Sequence, residues 1–120
     1  MDSSDEDYET MMIMYESKRY TWALFIGHLV IEKLLKAHYV KVWGAHPKPI
    51  HNLLRLAELT DLDIADDRQE NLAMITAFNL NARYDSFERS FYNQCTPEFT
   101  AHWVEKINEI RIWIKEQINS

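Results

Sequence analysis

Six large apolar residues, Phe99, Trp103, Ile107, Ile110, Ile114 and Ile118, recur at spacings of four, four, three, four and four. That period places all six on one face of an α-helix, whereas a strand would send alternate members to opposite faces. Thr96-Pro97-Glu98 stands just ahead of the stripe and carries three start signals: a capping hydroxyl, a proline suited to the first turn, and an acid at the positive helix end. A helix over about 97–118 follows, with Val104 and Trp113 widening its apolar face. Such a face has to be buried against other elements.

The rest of the chain offers more helices to bury it. Only two glycines and three prolines occur in 120 residues, so breakers are too sparse for many short strands. Tyr8, Met11, Met12 and Tyr15 predict a helix over about 5–17. A second, over about 20–43, is apolar nearly all round at Trp22, Ala23, Leu24, Phe25 and Ile26. It narrows to an Ile31, Leu35 and Val42 stripe with Leu34 and His38 beside it. A helix apolar on several sides is central in a bundle or buried in a dimer. Gly44, Pro47 and Pro49 end it. Ile50, Leu53, Leu54 and Ala57 predict a short helix over about 50–59, and Leu72, Ile75, Phe78 and Ala82 another over about 66–84. "SFERSFYNQC" is less periodic and reads as irregular. There is no strand-period run, repeat or linker. The expectation is one domain over 1–120, an all-α up-and-down bundle of four to five helices with antiparallel neighbours and an acidic extension at 1–7.

Composition bounds the setting. Apolar residues are 47% of the chain, which argues against disorder. No apolar run approaches the roughly 18 residues of a membrane span, and the acidic start is opposite to a signal peptide. The lone Cys95 fits a reducing cytoplasm and has no evident base near it in sequence. The net charge of −6 is uneven: residues 18–55 hold seven Lys or Arg against the single acid Glu32. Two readings stay open, an ordinary surface and a basic face for phosphates or an acidic partner.

Several residues could carry chemistry. His28, Glu32 and Lys36 share a helix face at i, i+4 and i+8. Glu32 and Lys36 form either a surface pair or a partly buried contact, for which Arg83 is a further candidate cation. Two ligands without HExxH do not make a zinc site, so no metal is expected. His51 and Asn52 open a helix, where the pair serves as anion contacts or as a cap. His46 and Lys48 could join them. The absence of a glycine-rich phosphate loop excludes a P-loop or dinucleotide fold, and no cofactor is expected. Arg83, Tyr84 and Asp85 close "FNLNARYDS". Arg83 serves there as a structural ion-pair partner or as a bidentate phosphate contact.

"WALFIGHLVIEKLLKAHYV", "PKPIHNLLRLAE" and "ENLAMITAFNLNARYDS", taken in this order, resemble the HEPN domain family over about 8–118. The most specific positions are Glu32, Lys33 and Lys36, then His51, Asn52 and Leu53, then Ala82, Arg83, Tyr84 and Asp85. The resemblance implies a helical bundle that commonly dimerises. It also implies two roles: pairing with a minimal nucleotidyltransferase in toxin–antitoxin systems, or metal-independent RNA cleavage. It marks Glu32, Lys33, Lys36, His51, Asn52, Arg83, Tyr84 and Asp85 as candidates for nucleotide or phosphate binding.

Two departures bear on the choice. The cleaving members carry an arginine, four to six residues, then a histidine, and no arginine here is followed by histidine at that interval. The family's "RYPD" lacks its proline, reading Arg83-Tyr84-Asp85. The expectation is a non-catalytic subunit that forms a homodimer and binds a nucleotidyltransferase partner, a nucleotide, or both. A ribonuclease toxin with a divergent site, using Arg83 with His51 or His28, and a purely structural dimerisation module stay open beside it.

Overall fold

The stripe of residues 99–118 becomes a packed seam. In a computed structural model of the chain, Trp103, Ile107, Ile110 and Ile114 are buried, and Phe99 and Ile118 pack at its edges. The structure describes residues 2–50, 52–60, 62–83 and 85–119, apart from the side chains of residues 2 and 83–88. Six α-helices follow in order: α1 (Asp2–Glu16), α2 (Tyr20–Trp43), α3 (Leu53–Glu58), α4 (Asp66–Arg83), α5 (Asp85–Gln94) and α6 (Pro97–Asn119). No strand occurs among the described residues.

α2 is the axis of the bundle and touches every other described helix. Its length suits that place: Ala23, Leu24, Val30, Ile31, Leu34 and Leu35 are all fully buried. Val42, expected on the Ile31 and Leu35 stripe, is instead 38% exposed, because it lies in the last turn beyond the packed layer. α1 runs antiparallel to α2, since Met11 meets Gly27 near one end while Ser4 Oγ donates to the Val30 carbonyl at 3.0 Å further along. α6 runs parallel to α2: Ile107 lies against Gly27, and Lys41 Nζ donates to the carbonyls of Gln117 and Ile118. α4 runs antiparallel to α6, for Arg68 covers the Trp113 ring while Phe78 packs edge-on against Trp103. α1, α2, α4 and α6 thus alternate in direction, as an up-and-down bundle requires. The Cα radius of gyration is 13.9 Å, near the roughly 13.6 Å of a compact chain of this length.

Local chemistry sets the helix ends. Gly44 adopts a left-handed φ of 71° and its N–H donates to the Val40 carbonyl at 2.7 Å, which closes α2. Asn52 Oδ1 accepts from Arg55 N at 3.1 Å and starts α3 at Leu53, so this helix is shorter than the expected 50–59. Thr96 Oγ1 accepts from Phe99 N at 3.1 Å and caps α6. α1 ends in a double turn in which Arg19 N donates to the Met14 carbonyl and Lys18 N to the Tyr15 carbonyl, with Lys18 at φ 62°. That is the Schellman pattern, with lysine where glycine is usual.

Two expectations need correction. α1 begins at Asp2, not near residue 5, because its acids have partners: Asp5 meets Lys115 and Arg111 of α6, and Asp7 meets Lys33 of α2. The stretch read as irregular forms α5, which raises the count to six. Its signal is sparse but helical: Phe87, Phe91 and Cys95 recur every four residues, and the last two are buried. Phe91 stacks on Phe78 at 5.6 Å, and this contact with α4 supplies what the local pattern lacks.

Candidate functional site

The central polar residues of α2 divide between two sides: Lys33 turns to α1, and His28 to α4. Glu32 is 6% exposed, and its Oε2 lies 3.5 Å from Lys36 Nζ, one helical turn away. The pair is therefore the partly buried contact, not a solvated one. Lys33 reaches across to α1, where its Nζ lies 2.6 Å from Asp7 Oδ2 and donates to Ser3 Oγ at 2.7 Å. Lys33 and Lys36 share one shallow cavity of about 310 Å³ with Ser3, Ser4 and His46. Each ammonium faces a carboxylate, so the cavity offers polar contacts with its cationic charge balanced. Asp5, at the outer end of α1, is held below the usual carboxylate range chiefly by its hydrogen bond from Lys115 Nζ and further by Arg111. Arg111 also lies over the Tyr8 ring at 4.0 Å, which ties α1 to α6.

A second polar set lies in the interior. His28 is fully buried, and the Asn79 amide nitrogen lies 3.2 Å from its Nδ1. The two side chains pair across the interface between α2 and α4. Asn79 belongs to "FNLNARYDS", yet it was not among the expected site residues. Its sequence signal is an amide between the apolar Phe78 and Leu80, which is a modest cue.

The expected residues do not all converge. Lys33 and Lys36 share the shallow cavity, and Glu32 pairs with Lys36 behind it. Asn52 lies elsewhere, at the start of α3, where the neighbouring Leu53 N donates to Thr76 Oγ1 of α4 at 3.0 Å. Its side-chain amide oxygen is used in capping. His51 and Tyr84 lie outside the described residues. So do the side chains of Arg83 and Asp85, and with them the expected Arg83–Glu32 pairing. The backbone places Arg83 at the last position of α4 and Asp85 at the first of α5.

The basic segment 18–55 does not form one unbroken cationic face. Lys33, Lys36 and Arg55 each have a carboxylate within 4.0 Å, and Lys41 serves the last carbonyls of α6. Among the described residues no group of three His, Cys, Asp or Glu side chains could hold a metal ion. No described helix is long and apolar enough to cross a membrane. Burial pushes the Cys95 thiol up to about 11, so it stays protonated near neutral pH.

A family model described as the HEPN domain matches residues 1–117. The chain belongs to the HEPN family. The match covers all six helices nearly to the end of α6. No curated protein and no solved structure matches the chain. Within this HEPN bundle, the family-like stretches occupy most of α2, all of α3, and most of α4 into the start of α5, and the Arg–His interval of the cleaving members is missing from the sequence.

Proposed function

We propose that this HEPN protein is a non-catalytic subunit that pairs with a second copy of itself and engages a minimal nucleotidyltransferase partner, a nucleotide, or both, in a toxin–antitoxin setting. The observation that carries this reading is the outer face of α2. Trp22, Phe25 and Leu29 fall at i, i+3 and i+7 on one side of the bundle's central helix. Trp22 is 50% exposed with its ring edge-on to Phe25 at 5.9 Å, and Phe25 and Leu29 are partly exposed. Large apolar side chains aligned on a surface helix favour burial against another chain. The missing Arg–His interval supports a non-catalytic role.

Light scattering on the purified protein tests the pairing: a dimer is expected, and Phe25→Glu with Leu29→Glu is expected to give a folded monomer. A wild-type protein that is monomeric at high micromolar concentration removes the basis for the dimer. Co-expression with a small nucleotidyltransferase tests the partner, which is expected to co-purify.

A further inference from the structure

We infer that the corner between α1 and α2 is a binding site for a nucleoside phosphate, in which Lys18 and Arg19 hold the phosphate and Tyr92 presents its ring to the base. This rests on the nucleotide half of the proposed function and moves the phosphate away from Lys33 and Lys36.

The cations differ in how their charge is used. Lys33, Lys36, Arg55, Lys106, Arg111 and Lys115 each have a carboxylate within 4.0 Å. Lys18 and Arg19 are adjacent and exposed, and neither has an acidic partner among the described residues. Lys48 is also exposed without an acidic partner among the described residues, but Lys18 and Arg19 stand together, so their charge converges on one place for an external anion.

Both line a cavity of about 390 Å³, whose other walls are the first turn of α2 and Tyr92 of α5. That volume falls in the range of small-molecule sites, about 300–1,000 Å³. Ser17 and Thr21 add hydroxyl donors to the wall. The first turn of α2 contains no acid, and no side chain caps it, so its N–H groups face the cavity without a carboxylate of their own helix. A guanidinium beside an ammonium suits a phosphate, which accepts two parallel N–H donors from the planar fork. Tyr92 is 70% exposed. A ring left in water at the rim of a cationic cavity suits a nucleobase, since stacking on aromatic side chains is the usual way unpaired bases are held. A smaller cavity of about 190 Å³ continues past Lys18 and Tyr92 to Cys95, giving room behind the ring.

Lys18 provides an informative variant. Its φ of 62° is one glycine adopts without strain. Lys18→Gly is therefore expected to raise stability while it removes a phosphate contact, a combination that a merely structural lysine does not give. Calorimetric titration of the full chain with AMP, inorganic phosphate, and a short single-stranded RNA with or without a 5′ phosphate tests the site. Saturable binding of AMP or of the RNA is expected, tighter than inorganic phosphate. AMP binding assigns a free nucleotide as the source, and binding of the RNA alone assigns an RNA phosphate. Arg19→Gln and Lys18→Gly are each expected to weaken binding by about tenfold, as loss of one charge-assisted contact would. Tyr92→Ala is expected to bring the nucleotide down to the affinity of inorganic phosphate.

Failure of both AMP and RNA to bind at millimolar concentration overturns the site. So does unchanged affinity in Arg19→Gln with a native circular dichroism spectrum. Loss that follows Lys33→Gln with Lys36→Gln, but not Arg19→Gln, also overturns it and returns the nucleotide to the shallow cavity. The oligomeric state is read separately by light scattering, so a failed dimer and a failed site remain distinguishable.

Discussion

Single side chains in this bundle fall into those whose partner is close in sequence and those whose partner comes from another helix. Thr96 is of the first kind: its hydroxyl reaches an N–H three residues on, so its cap was legible in Thr96-Pro97-Glu98. Asn79 is of the second kind, and its pairing with His28 across 51 positions left little trace in the local pattern. Asp5 is another, bound to Lys115 and Arg111 more than a hundred residues away. Its carboxyl is lowered in the folded state, so its stabilising effect is present above the ordinary carboxylate value and is lost as pH falls through the lowered one. Wild type and Asp5→Asn are therefore expected to differ in thermal midpoint at neutral pH and to converge as pH falls below the ordinary carboxylate value. The side chain is 44% exposed, so the difference should be small and should shrink further in high salt.

Pairs of helices show where packing overrides local preference. α1, α2 and α6 meet at Gly27, where an added Cβ would stand 2.5 Å from Ile107 Cδ1 and 3.1 Å from Met11 Sδ. Alanine is favoured over glycine in a helix by about 1 kcal/mol, but overpacking a buried contact costs about 1–3 kcal/mol. Gly27→Ala is expected to lower stability by about 1 kcal/mol in urea denaturation. In an Ile107→Val background, which lacks the Cδ1, the same change is expected to be neutral or stabilising. A like effect in both backgrounds would show that the contact does not set the helix spacing. α5 makes the opposite point. Its sparse period read as irregular, and the Phe91 ring on Phe78 is what holds it as a helix. Phe91 is 2% exposed, so Phe91→Ala is expected to cost about 3–5 kcal/mol, with an accompanying loss of helical signal near the midpoint.

At the scale of the molecule, α2 forms the inner axis and also exposes the Trp22, Phe25 and Leu29 face. This dual character is why its sequence is apolar on nearly every side. The proposed non-catalytic role carries a prediction of its own: total RNA incubated with the purified protein in EDTA is expected to stay intact at high protein concentration. Cleavage that vanishes in Arg83→Ala, at unchanged circular dichroism, would favour the divergent ribonuclease instead. Electrostatics also emerge only at this scale. Seven cations in one segment read as a candidate basic face, yet folding sets carboxylates beside three of them and helix-end carbonyls beside Lys41.

By itself, the sequence determined the helical class, five of the six helices to within three residues, the cap at Thr96, and the family. Each depends on neighbours within about four positions, the range over which helical period and capping act. Only the tertiary structure decided that α5 is a helix, that the acids of α1 pair with α2 and α6, and which cations of the basic segment have a carboxylate beside them. Those depend on groups brought together from distant parts of the chain, and no local period encodes a contact between residues 5 and 115.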